Sequence, residues 1–221
     1  AAEFFKNVGG RFQVQEQTSL RDHEPGIGAT VTYDTGDQFG FRMGAATVAH
    51  DGRVTLRRQV QVEGRTFAAG TRLRSEFDLD FYYAAIAWEP PAEWTPGADS
   101  PGDLQVEYRV LAGGAAFRWD SRWQGTSGPA VEESVRSEGP ALGAMLRMRE
   151  RWGYVDATVL GIRFASSQDG WGGWVDVAAG VRRGAWLFEA GWHHFWADVA
   201  DAADWADIAY RGPTAGIRVV F

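Results

Sequence analysis

Apolar and polar residues alternate one for one along most of this chain. In NVGGRFQV, Val8, Gly10, Phe12 and Val14 fall on one side of an extended backbone and Asn7, Gly9, Arg11 and Gln13 on the other, because successive side chains of a strand point to opposite faces. IGATVTYD sets Ile27, Ala29, Val31 and Tyr33 against Gly28, Thr30, Thr32 and Asp34. QFGFRMGA does the same with Phe39, Phe41, Met43 and Ala45 against Gln38, Gly40, Arg42 and Gly44. FDLDFYYAA opposes Phe77, Leu79, Phe81 and Tyr83 to Asp78, Asp80 and Tyr82, and LQVEYRV opposes Leu104, Val106, Tyr108 and Val110 to Gln105, Glu107 and Arg109. LGAMLRMR, YVDATVLG, WVDVAAGVR and WLFEAGWHHF continue the series, with Arg147, Arg149, Asp156, Asp176, Arg182, Glu189 and His193 on the polar side. No segment has the 3.6-residue period of an amphipathic helix, so the pattern predicts an all-β chain.

The alternation places strands near 5–16, 26–35, 38–50, 75–89, 103–119, 139–151, 153–167, 173–183, 185–198 and 207–221. That is ten, an even number, with 8 or 12 as the neighbouring counts, in a single domain over 1–221. The links TGD, RW and RG are tight, whereas those at the opposite strand ends are longer. Short turns at one end and long loops at the other are the habit of transmembrane antiparallel up-and-down β-barrels. Residues 51–74 then form a long basic extracellular hairpin loop. The Pro-rich connection 89–103, WEPPAEWTPGADSPGD with its flanks, departs from the rule, being long on the short-turn side, and is a candidate docking segment.

Periodicity alone leaves two inversions open. A soluble lipocalin-like barrel hides its apolar face, and a membrane barrel shows it to lipid. Strand length suits the membrane, since about 9 to 11 residues cross the hydrocarbon when tilted. Tryptophan placement points the same way. Trp88, Trp152 and Trp186 lie near the tight turns and Trp119, Trp171, Trp174, Trp192 and Trp196 toward the long loops, which predicts two aromatic belts at the interfaces of a bilayer.

Composition adds little but excludes some classes. There is no cysteine, hence neither disulfides nor a thiolate metal site. The net charge of -7 argues against a nucleic-acid partner, which calls for a basic surface. No apolar run reaches the roughly 18 residues of a transmembrane helix. The opening AAEFF has the small residues left after a signal-peptidase cut, so a mature exported chain is expected.

The closing GIRVVF resembles the C-terminal insertion signal of Gram-negative outer-membrane β-barrels, a terminal aromatic preceded by apolar residues at alternate positions. RVTLRRQVQVEGRTFAAGTRLRSEFDLDFYYAAIAW resembles a segment of small uncharacterised outer-membrane proteins, in which a polar hairpin ending in AGT leads into an S-[DE]-F-D-L-D strand, and YRGPTAGIRVVF is similar to the way those proteins end. The resemblance implies an outer-membrane location. It also implies that barrel-assembly machinery reads Phe221, with Ile217 and Val219 in support. It specifies architecture and assembly, not chemistry.

Candidate chemistry is sparse. The polar positions predict a lumenal charge network of Asp78, Asp80, Glu107, Arg109, Arg147, Arg149, Glu189 and His193, with acids and bases meeting across neighbouring strands. Arg53, Arg57, Arg58, Arg65, Arg72 and Arg74, with Glu63 as the one acid among them, could hold lipopolysaccharide phosphates or simply face water. Asp198, Asp201, Asp204 and Asp207 are spaced at three, yet lack the glycine turn of an EF-hand and read as a solvated loop. Asp78 and Asp80 with His193 or His194 resemble half of the omptin protease constellation, but no Asp-x-His follows. His193 and His194 alternate faces and so cannot jointly hold a metal from a regular strand. No cofactor is expected. Three functions follow, in order: a structural or interaction barrel that docks envelope proteins or lipopolysaccharide, a narrow passive channel for small solutes, and an outer-membrane enzyme, either an omptin-like hydrolase or a lipid-modifying one.

Overall fold

A computed structural model describes residues 2–7, 11–13, 26–35, 38–57, 59–62, 65–91, 104–150, 152–165, 169–183, 186–200 and 205–219. It is all-β and antiparallel, with consecutive strands running up and down. The strands are β1 (Ala2–Asn7), β2 (Arg11–Gln13), β3 (Gly26–Asp34), β4 (Phe39–Thr55), β5 (Val60–Val62), β6 (Arg65–Phe67), β7 (Arg72–Trp88), β8 (Gln105–Gln124), β9 (Val131–Arg149), β10 (Gly153–Ala165), β11 (Asp169–Arg183), β12 (Trp186–Ala200) and β13 (Trp205–Val219). One sheet takes the order β2-β1-β13-β12-β11-β10-β9-β8-β7-β4-β3, and β5 and β6 form a separate hairpin. The sheet is curled, since inward side chains of β7 touch those of β11 and β12: Phe81 stacks on Trp174 at 4.7 Å and lies 4.7 Å from Phe195. Where one strand over 5–16 is expected, β1 and β2 pair with each other, and among the described residues β2 and β3 are the sheet's edges.

Several strands outrun their expected lengths, among them β11, which begins at Asp169, and the neighbouring β4, β7, β8 and β9. β4 continues to Thr55, β8 to Gln124, and β9 already begins at Val131, so Asp51–Thr55 and Arg72–Arg74 belong to strands and not to a loop. The reason lies in what the extra residues present outward. Below one line the outer face is apolar: Phe39, Phe41 and Met43 on β4, Tyr82, Ala84 and Ile86 on β7, Pro140, Leu142 and Leu146 on β9. Above it the same faces carry Asp51 and Arg53, Asp78 and Arg74, Glu132 and Arg136. The change falls between two adjacent rows of the register, Ala45, Tyr82, Ala116 and Glu138 below and Thr47, Asp80, Arg118 and Arg136 above.

The interior changes in the opposite sense. Above the line it is a hydrophobic core of Leu73, Phe77, Leu79, Phe81, Phe117, Trp119 and Trp123, with Phe164 packed against it. Phe77 meets the edge of Trp123 at 5.0 Å, and Phe117 the edge of Phe164 at 4.9 Å, the T-shaped contact that ring quadrupoles favour. This corrects two expectations. Asp78 and Asp80 do not face the lumen, because Phe77, Leu79 and Phe81 occupy it and turn the acids out. Trp119 and Trp174 join no belt: only 2% and 6% exposed, they fill the core, whereas Trp152, Trp171, Trp186 and Trp192 are exposed and Trp88 and Trp196 half-buried.

The hairpin closes the top. Arg65 donates to the carbonyl oxygens of Ser127, at 3.0 Å, and Pro129, and its guanidinium lies 5.2 Å from the centroid of Phe67, which is buried with Leu56. Gly128 permits this, with φ of 86° and no side chain, since a Cβ there would lie 2.2 Å from Arg65 Nη2. Truncating the ring that ties β7 to the far wall tests the core. Phe81→Ala should cost about 3 to 5 kcal/mol, measured by reversible unfolding, with an outward Ile86→Ala costing clearly less.

Candidate functional site

Below the line the interior sets an ionic cluster, built around one carboxylate, among the buried apolar side chains of Ala85, Ala87, Leu111 and Met145. Asp156 on β10 accepts from Arg147 Nε at 2.9 Å and Nη2 at 2.6 Å, and lies 3.6 Å from Arg42 Nη2. Arg147 comes from the neighbouring strand β9. Arg42 comes from β4, with β7, β8 and β9 between, so this pair bridges the interior. Arg42 is fully buried. Its Nε donates to the Tyr83 hydroxyl at 3.3 Å and its Nη1 to Thr32 Oγ1 at 3.1 Å, with Met145 Sδ at 3.3 Å. Every edge of the guanidinium is therefore engaged, as a buried charge requires.

A second carboxylate gathers the remaining arginines. Glu107 lies 2.7 Å from Arg109, 3.9 Å from Arg147 and 3.6 Å from Arg149, and Arg109 also reaches Glu89 at 3.6 Å. Across the interior the Tyr154 hydroxyl donates to Glu189. His193 takes no part in these ion pairs; its ring lies between Trp174, at 4.4 Å, and Tyr210, at 5.0 Å, beneath the aromatic core. His194 points to the opposite face, beside Trp196. Thr158, Asp176 and His193 follow one another across β10, β11 and β12. Thr158 Oγ1 and His193 Nε2 have no hydrogen-bond partner among the described residues.

Thus the structure brings Glu107, Arg109, Arg147 and Arg149 together and leaves Asp78, Asp80 and His193 out. Asp78 instead faces Asp120 directly across β7 and β8 on the outer face above the apolar band, where desolvation and then the neighbouring Asp120, Asp80 and Glu76 raise its pKa against the opposing Arg118. The residues missing from the sequence-based network are Arg42, Asp156, Tyr83 and Tyr154. Arg42 and Asp156 stand at polar positions of the alternation, which was the available signal; their contact was not.

The loop arginines separate likewise. Arg53 and Arg74 are outward partners on β4 and β7, Arg74 pairs with Glu76 at 2.7 Å, Arg57 and Arg72 are exposed, and Arg65 is spent on the hairpin. Arg58, Asp201, Asp204, residues 92–103 of the Pro-rich connection and Phe221 lie outside the described residues. Ile217 and Val219 enter β13 opposite Phe188 and Trp186, and their side chains are likewise outside.

No protein-family model matches the chain, and no curated protein is detectably similar to it in sequence. Among solved structures it is similar to the transport unit of the autotransporter AIDA-I from Escherichia coli, with 7% identity and a TM-score of 0.39 over 100% of this chain and 88% of that one.

The polar tier makes an asymmetric prediction. Asp156→Ala leaves Arg42 and Arg147 without their shared counter-charge and should cost about 3 to 5 kcal/mol in chemical unfolding. Asp78→Ala, on the exposed face, should stay within about 0.5 kcal/mol of wild type. Equal costs would mean that water fills the interior and screens it.

Proposed function

We propose that the protein is an outer-membrane β-barrel of a Gram-negative bacterium whose role is structural or interactive, not permeation or catalysis. The observation that carries this reading is the exchange of faces along one register line. An apolar band on the outer wall over a polar interior suits lipid outside, and a charged outer wall over an apolar interior suits water outside. A soluble barrel has no need of the exchange, since one solvent surrounds its whole length.

The filled interior supports the closed reading over the channel. Arg42 and Asp156 cross the lower tier, and Phe81, Trp174 and Phe195 cross the upper one. A conducting pore needs a continuous polar path, and these contacts interrupt it. Binding then belongs to the outside: the charged ends of β4, β7, β8 and β9 would meet envelope proteins, and Arg53, Arg57, Arg72 and Arg74 would meet lipopolysaccharide phosphates.

Two measurements test this. The wild type in planar bilayers should show no discrete conductance steps, and a steady open level would establish a channel instead. Val177→Arg, on the outer face of β11, should cost about 2 to 4 kcal/mol in lipid if it faces hydrocarbon, while Ser134→Arg in the charged zone should be near neutral. Loss of that contrast would remove the bilayer from the band.

A further inference from the structure

We propose that the protein forms a parallel homodimer in the membrane, with its twofold axis passing β8. The proposal rests on the membrane reading above and goes beyond it. The outer wall holds a trough of about 500 Å³ between β7 and β9, lined by Tyr82, Ala84, Gly114, Ala116 and Glu138. Its floor is small by sequence. A Cβ built on Gly114 would meet only the Gly139 carbonyl oxygen, at 3.6 Å, so the space above the glycine is open. Both banks are bulky, with Tyr82 and Ile86 on β7, and Pro140 and Leu142 on β9, Leu142 being 67% exposed. The register sets Ile86, Ala112 and Leu142 in one row, Ala84, Gly114 and Pro140 in the next, and Tyr82, Ala116 and Glu138 above. With the axis at β8, a twofold rotation sets β7 of one copy against β9 of the other row for row, Ile86 beside Leu142 and Ala84 beside Pro140, and brings the two Gly114 floors face to face. In lipid, small residues gain from this by letting two backbones approach.

The charges at the trough's upper end select the occupant. Asp80, Asp120 and Glu138 stand there with Arg118 and Arg136, and Arg118 pairs with Asp120 at 2.5 Å on its own strand. An anionic lipid headgroup would meet three carboxylates beside two guanidiniums, a poor site for phosphate. A second copy brings both signs, so acids on β7 can face bases on the partner's β9 and the Tyr82 hydroxyl can approach the partner's Glu138. The wall over β11 and β12 differs: large exposed Trp171, Val177, Val181, Phe188 and Trp192 cover it.

Because the chain has no cysteine, single substitutions report cleanly. Oxidation in native membranes should link Ala112→Cys into a homodimer and leave Ala179→Cys, on the outer face of β11, monomeric. By sedimentation in detergent, Gly114→Leu should raise the dimer dissociation constant by about tenfold or more while keeping the folded spectrum. Should Ala112→Cys cross-link no better than Ala179→Cys, or Gly114→Leu leave dissociation unchanged, the dimer is refuted; the cysteine arm stands even where the leucine variant fails to fold. A monomer carrying a stoichiometric phospholipid or lipopolysaccharide that Gly114→Leu loses would give the trough to lipid and also refute it. A chain recovered outside the membrane fraction defeats the membrane reading and this proposal together, whereas a membrane-inserted monomer defeats the dimer alone.

Discussion

A β-strand has two faces and a period of two, so a strand whose outer surroundings change part way along must exchange its apolar set from one face to the other. Under the bilayer placement proposed above, this constraint organises β4 and β7 to β9. On β7 the exchange falls at Tyr82 and Tyr83, neighbouring aromatics of which one turns out and one turns in. On β8 it falls between Ala116 and Arg118, and on β9 between Glu138 and Arg136, so three neighbouring strands change together, with Gly113, Gly114 and Gly139 just below the change. At Gly113 and Gly139 a side chain is excluded, since a Cβ would run into the carbonyl oxygens of Ala84 and Arg163, where the neighbouring backbone approaches closely.

Once the outer band is apolar, the strand's other face must differ from it or the phase is lost. A segment apolar on both sides would have no preference for which face turns outward, and a slip of one residue would pass unpunished. The polar lower tier supplies the missing preference. Its energetic contribution need not be large, because desolvating Arg42, Arg147 and Asp156 offsets much of their attraction. Its specificity is considerable: a one-residue slip of β4 or β10 would send Arg42 or Asp156 outward and strand a charge inside.

The same constraint explains what could be read from the residues and what could not. Strand positions and the antiparallel up-and-down plan follow from alternation, which is local. Orientation does not, because FDLDF alternates identically whether its aspartates face a lumen or water. Extrapolating the apolar-out rule of the band into Phe77–Phe81 therefore placed Asp78 and Asp80 inside and Trp119 in a belt. The clue was the break in alternation at Tyr82 and Tyr83, two adjacent residues of one kind. The bridge from Arg42 to Asp156 was illegible for another reason. Partners on adjacent strands can be inferred from register, but β4 and β10 meet only because the sheet curls, and curvature leaves no signature in a period of two.

Two tiers are stacked in the described interior, aromatic above and partly ionic below. The upper tier is ring against ring from β7 to β12, capped by the hairpin that Arg65 pins to the loop carbonyls of Ser127 and Pro129. The lower tier engages its guanidiniums with carboxylates, hydroxyls and a thioether. Changing a residue of either tier gives up packed aromatic area or unpairs a buried charge. The outer wall bears no such restriction. Its side chains can change without disturbing the interior, provided each stays on its side of the register line, so that is where a chain of this design is free to acquire partners.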